Sequence, residues 1–106
     1  MRVSGTADVV TMLQALAEPT RWRTVVLLSA APRRAGELAA VLRVTAPTMS
    51  KHLRMLLEAG LVVDERPLAD ARARVFRLRQ DALDALRARL DQLEASDTTG
   101  DRHPGA

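Results

Sequence analysis

Apolar residues recur every three or four positions through four successive stretches of this chain, change to an extended period after Gly60, and return to helical spacing near the end. Val9, Val10, Met12, Leu13 and Leu16 mark one face of a first helix from Thr6 to Ala17, with Ser4 or Thr6 available as its N-cap. Pro19 suits the first turn of a second helix, because it lacks an N–H where none would be bonded. Trp22, Val25, Val26 and Leu28 continue the apolar face of that helix to about Ser29. Ala30 to Arg34 breaks the pattern, and a short third helix begins near Ala35 with Leu38, Ala39, Val41 and Leu42. The tight connection Arg43-Val44-Thr45 leads into a fourth helix, capped by Thr45, in which Met49, Leu53, Leu56 and Leu57 face inward. Gly60 ends it.

Leu61 to Val63 and Arg74 to Leu78 then read as two short strands of a β-hairpin around Pro67 to Ala71. A fifth helix runs from Gln80 to about Ala95 and sets Leu83, Leu86, Leu90 and Leu93 at the a/d spacing of a helix seam, which calls for a partner helix. From Ser96 the apolar pattern stops. Residues 1–95 are therefore expected to form one domain and 96–106 a disordered tail. The predicted fold class is mainly α with a small β-hairpin: a winged helix-turn-helix of order α-α-α-α-β-β-α.

Such a fold points to the major groove of double-stranded DNA. Burying Met49, Leu53 and Leu56 leaves Pro47, Thr48, Lys51, Arg54 and Met55 outward on the fourth helix, with Thr45 and Ser50 flanking them. Small residues allow close approach, Lys51 and Arg54 suit phosphates or guanine edges, and the helix N-terminus attracts a phosphate. His52 falls at the edge of the buried face, placed for packing or a phosphate bond. In the hairpin, Arg66, Arg72, Arg74 and Arg77 are within reach of flanking backbone, and Arg72 and Arg74 are the preferred pair. Asp64, Glu65 and Asp70 dilute the field there.

Length and composition narrow the picture. A chain of 106 residues supports one core. Hydrophobic residues make up 47% and aromatics 2%, so Leu, Val, Ala and Met build the interior, and the single Trp22 is expected within it. Met49 is likewise read as core, not as a soft-metal ligand. The net charge of +3 is modest, so the placement of the arginines matters more than the total. Arg21, Arg23, Arg33 and Arg34 read as solvated charge, with DNA-backbone contact the secondary reading. The absence of cysteine removes disulfides and thiolate chemistry. No signal-like or membrane-spanning run is present, so a cytoplasmic protein without a membrane partner is expected. An enzyme is excluded on inventory: no cysteine, two unlinked histidines, no glycine-rich phosphate loop, and carboxylates on exposed helix faces.

Four segments, Leu16-Ala17-Glu18-Pro19-Thr20-Arg21, Gly36-Glu37-Leu38-Ala39, Thr48-Met49-Ser50-Lys51-His52-Leu53 and Leu57-Glu58-Ala59-Gly60-Leu61-Val62, resemble the ArsR family of winged-helix repressors in order and spacing. The resemblance spans roughly residues 10 to 90. It implies a homodimer paired through the first and fifth helices and bound to an inverted repeat, with the DNA face at Thr45, Pro47, Thr48, Ser50, Lys51, His52, Arg54, Arg72 and Arg74. The apolar residues Val9, Met12, Leu13, Leu16, Leu83, Leu86, Leu90 and Leu93 would line the dimer seam.

Many members of that family respond to metals, and the residues here depart from both familiar sites. Arg34 and Gly36 stand at the Cys-x-Cys positions and supply no ligand. The fifth-helix pattern falls on Asp81, Leu83, Glu94 and Asp97, which keeps three carboxylates and loses both histidines. His103 is a further unattached candidate. A solvated charged helix is the favoured reading over a divalent transition metal, and no cofactor is assigned. A constitutive repressor, one gated by an effector-sensing partner protein, and a nickel- or zinc-type sensor with histidine and carboxylate ligands stay open, in that order. The alternative of another class is a protein-interaction module that has lost DNA binding.

Overall fold

The computed structural model describes the backbone of residues 6–65 and 74–100 and the side chains of 9–65 and 74–93. In chain order the elements are α1 (Thr6–Leu16), α2 (Pro19–Ala30), β1 (Arg33–Arg34), α3 (Ala35–Leu42), α4 (Ala46–Glu58), β2 (Val62–Glu65), β3 (Val75–Leu78) and α5 (Gln80–Gly100). The starts of α2, α3 and α4 have local causes. Glu18 caps α2 by accepting the Arg21 N–H at 2.8 Å, and Pro19 occupies the first helical position. Glu37 reaches back to accept the Arg34 N–H at 2.9 Å at the head of α3. Thr45 Oγ1 accepts the Thr48 N–H at 3.2 Å and opens α4.

The ends are equally local. Gly60, at φ 78°, lets the chain leave α4 while Leu61 N–H returns to Leu56 O at 3.0 Å. Arg43 makes the corresponding left-handed turn after α3, at φ 59°, and Val44 N–H bonds Ala39 O at 3.1 Å. That turn sets the angle between α3 and α4, the two helices of the helix-turn-helix.

The sheet has the order β1-β3-β2, antiparallel throughout. Val62 faces Leu78 and Glu65 faces Val75, so the first hairpin strand lies at 62–65, further along than the expected 61–63, because its pairing with β3 continues through Asp64 and Glu65. β1 is an addition to the expected fold: Arg33 and Arg34 pair with Phe76 and Val75 on the other edge of β3. The expected turn at Pro67 to Ala71 lies outside the described residues. α5 also runs past its expected end near Ala95. Ser96 to Thr99 lack the apolar period but contain neither proline nor glycine, so backbone hydrogen bonding carries the helix to Gly100. Residues 101–106 lie outside the described residues.

The core lies between α2, α3, α4 and the sheet, where Leu38, Met49, Leu53, Leu56, Leu61 and Val62 are buried. Met12 and Ala15 of α1, Phe76 and Leu78 of β3, and Leu86 of α5 close it. Thr24 is fully buried, and its hydroxyl donates to Thr20 O at 2.8 Å, which satisfies it. Trp22 corrects an expectation. It is 53% exposed, because Thr24, Val25 and Leu28 define the inward direction of α2 and Trp22 lies to one side of them.

Candidate nucleic-acid interface

The opposed faces of α4 follow from its period. Met49, Leu53 and Leu56 are buried, and Pro47, Ser50, Lys51 and Arg54 form an exposed stripe at spacings of three and four on the other side. Thr45 and Thr48 are exposed at its N-terminal end, where the Thr45 hydroxyl also donates to Thr48 Oγ1 at 2.9 Å. Among the described residues no hydrogen bond or ion pair engages Lys51 or Arg54, so both cations are available to a ligand.

Other expected members of the face sit differently. The His52 side chain is 14% exposed and turned toward α2, with Nδ1 3.2 Å from Arg21 Nη1 and 3.9 Å from Glu18 Oε1. Burial pushes the Glu18 carboxyl up. The Arg21 N–H, the His52 charge present when its ring is protonated, the Thr20 N–H and the Arg21 guanidinium together outweigh that and hold it below the ordinary value. Arg74 bonds Asp64, with Nε at 2.8 Å from Oδ2, and its guanidinium lies 4.9 Å from the Phe76 ring centre. Arg77 bonds Glu65 at 2.9 Å, a hydrogen bond that raises the Arg77 pKa. The four charged side chains of β2, β3 and the residue before β3 are thus paired with one another. Arg66 and Arg72 lie outside the described residues.

A cleft of about 670 Å³ adjoins the stripe, between the start of α3, α4 and β3, and Arg34, Ser50, Arg54 and Arg74 line it. From sequence, Arg34 reads first as solvated charge and second as a DNA-backbone contact. Pairing of β1 with β3 brings it beside α4, and the adjacent cations Arg33 and Arg34 immediately before a helix were the available signal.

On the opposite side the eight expected seam residues divide. Met12 and Leu86 belong to the protomer's own core; Val9, Leu16 and Leu83 are half-buried; Leu13, Leu90 and Leu93 are exposed. A groove of about 490 Å³ runs between α1, α2 and α5 and is lined by Leu13, Leu16, Ala17, Trp22, Leu83, Leu86, Arg87 and Leu90. Trp22, which periodicity had assigned to the core, joins this apolar surface.

The family model for bacterial regulatory proteins of the arsR family matches residues 18–63, from the cap of α2 into β2. The HTH-type transcriptional regulator Rv2034 of Mycobacterium tuberculosis is 42% identical over 87 residues, covering 82% of this chain and 78% of that protein. The chain belongs to the ArsR family. It is a winged helix-turn-helix transcriptional regulator, with α3 and α4 as the helix-turn-helix and β2 and β3 as the strands of the wing. An ArsR-like transcriptional regulator from Rhodococcus superposes with a TM-score of 0.76 at 28% identity, covering 85% of this chain and 82% of that one. The homodimeric winged helix-turn-helix DNA-binding domain Mb0332 from Mycobacterium bovis shares the fold, with a TM-score of 0.67 at 21% identity and full coverage of both chains.

The cysteine metal site known in the ArsR family does not fit these residues. Arg34 and Gly36 occupy the cysteine positions, and the Arg34 backbone N–H is engaged by Glu37. Asp81 bonds Arg79 at 2.7 Å, and that hydrogen bond lowers its pKa. The side chains of Glu94 and Asp97, and all of His103, lie outside the described residues. Among the described residues no three histidine, aspartate or glutamate side chains come together as a metal site. No helix among the described residues is long and apolar enough to cross a membrane.

Proposed function

We propose that this ArsR-family regulator is a homodimeric repressor of the cytoplasm that occupies an inverted-repeat site in double-stranded DNA and performs no catalysis. The observation that carries this is the capped, exposed stripe of α4, where Lys51 and Arg54 have no hydrogen-bond or ion-pair partner among the described residues. Inserted in a major groove, α4 places its N-terminal dipole and the Thr45 and Thr48 hydroxyls near a phosphate, while Lys51 and Arg54 reach phosphates or guanine edges. Pro47 and Ser50 keep the approach close. Arg74 contributes only by sharing its charge with Asp64, so the wing contact rests more on Arg72. His52 serves by holding α4 in place, since its ring faces α2.

Dimerisation is supported by the exposed Leu13 and Leu90, which line one apolar groove with Trp22 on the helices expected to pair, and by the exposed Leu93 further along α5. The fold neighbour from Mycobacterium bovis is a homodimer. A two-fold axis through that surface presents two α4 helices to successive major grooves about 34 Å apart, which matches an inverted repeat. A dimer seated this way obstructs polymerase on the same duplex, hence a repressor.

A second reading has one observation in its favour. The described charges of the wing are paired internally, as suits a module that binds protein in place of DNA. A mobility-shift titration against the DNA upstream of the chain's own gene, at two salt concentrations and with EDTA, nickel or zinc, separates the readings. Specific binding that weakens linearly in log salt supports the repressor. Absence of binding at either salt supports the interaction module. A shift that changes with metal calls for the histidine and carboxylate sensor, and metal-indifferent binding for a constitutive or partner-gated repressor.

A further inference from the structure

Beneath the outer face of α4 one guanidinium joins three helices. Arg21, in the first turn of α2, donates through Nε to the Ala15 carbonyl of α1 at 2.7 Å and through Nη1 to His52 Nδ1 of α4 at 3.2 Å. The same Nη1 lies 3.3 Å from Met55 Sδ, nearly one turn further along α4. An arginine has no acceptor and keeps its proton, so Nδ1 accepts, and the His52 ring in this arrangement is neutral with its proton on Nε2. Protonation converts Nδ1 into a donor and removes the group that Arg21 binds. A replacement acceptor stands close by: Glu18 Oε1, the cap of α2, is 3.9 Å from Nδ1. Glu18 and Arg21 are the charged groups that face the ring from α2. In the adjoining recess α1 presents Thr11, Gln14 and Ala15, and α4 presents Met55 and Glu58.

We propose that Arg21 is a positioning residue that seats the recognition helix against the α1–α2 elbow, and that His52 exchanges Arg21 for Glu18 on protonation, loosening α4 and reducing its discrimination among DNA sequences. The inference rests on the DNA-binding reading of α4. Its consequence is a change in discrimination more than in total affinity. An added positive charge on His52 strengthens attraction to any duplex alike, whereas the seating of α4 matters only where base edges are read. Acidification therefore narrows the gap between a chosen site and unrelated DNA.

Two measurements on the 106-residue chain test it. In the first, imidazole nitrogen shifts from histidine-labelled protein, assigned with His103→Gln, report the His52 ring without DNA. The expected result at neutral pH is an unprotonated Nδ1 and a protonated Nε2, a preference that Arg21→Gln removes. A proton on Nδ1 at neutral pH overturns the proposal. In the second, a duplex is selected from a random library with the wild-type chain, and its affinity is compared with that of an unrelated duplex across the range where imidazoles titrate. The wild-type affinity ratio is expected to fall about tenfold on acidification. His52→Asn, which keeps a neutral acceptor near the Nδ1 position, is expected to hold the ratio constant. Arg21→Gln is expected to lower the ratio about tenfold at neutral pH and to leave it insensitive to acid. A His52→Asn ratio that follows the wild-type profile overturns the proposal, and this variant decides the matter if Arg21→Gln fails to fold. Selection of no duplex at all defeats the DNA-binding reading itself, and the nitrogen shifts still decide the exchange of partners.

Discussion

Lys51 and Arg54 sit one turn apart on the exposed side of α4, while their helical neighbours Met49, Leu53 and Leu56 are buried. Removing either cation touches nothing in the core. Lys51→Ala and Arg54→Ala are each expected to weaken DNA binding and to reduce the salt slope by about one, with thermal unfolding unchanged. Unaltered affinity in both variants would mean that another surface meets the DNA. Glu18 behaves differently, because its role is internal. Glu18→Ala removes the cap of α2 and is expected to cost about 1 kcal/mol at neutral pH in a denaturant titration. Its carboxyl titrates below the ordinary value in the folded state, so its contribution is complete above that value and is lost as the pH falls through the lowered one. Once the pH falls into the carboxylate range, where Glu18 itself takes up a proton, the deficit of Glu18→Ala against the wild-type chain is therefore expected to shrink, and a deficit that grows through that range would show the shift has the opposite sign.

At the scale of elements, the turn between α3 and α4 carries a cost. Arg43 holds φ 59° and ψ 47°, a conformation in which a side chain crowds its own carbonyl. Arg43→Gly is expected to raise stability by up to about 1 kcal/mol by removing that crowding, with the angle of α4 and DNA affinity retained. A destabilised variant would show that the Arg43 side chain compensates elsewhere. The main helices were legible because their signals are local: the apolar period of α4, its Thr45 cap and its Gly60 stop lie within one short segment. β1 was not legible. Two arginines have no period, and they become a strand only because Val75 and Phe76 arrive from a distant part of the chain. The end of α5 is not legible for a related reason, since loss of apolar spacing ends burial without ending backbone hydrogen bonding.

Across the whole molecule the leucines of α5 serve two surfaces. Leu86 is 6% exposed and packs in the protomer's core, whereas Leu90 is 43% exposed beside Leu13 and Trp22. Leu90→Glu is expected to dissociate the dimer in sedimentation with helix content preserved, because it places a charge in the seam. Leu86→Glu is expected to unfold the protomer by burying an unpaired carboxylate. If Leu90→Glu still sediments as a dimer, the seam lies elsewhere. If Leu86→Glu stays folded and dissociates instead, α5 has been divided wrongly between core and seam.

The sequence by itself determined the helices, the winged arrangement, the family resemblance and the outer stripe of α4. Each follows from periods, caps and stops among near neighbours, and an amphipathic helix with a known inner face has its outer face settled as well. Tertiary structure alone decided the exposure of Trp22, the pairing of Arg74 with Asp64, the strand at Arg33–Arg34 and the inward turn of His52 toward Arg21. In the first case α2 had several faces able to turn inward, and in the others the partner comes from another element. Periodicity fixes a direction on one helix, whereas a contact between elements depends on how they pack together.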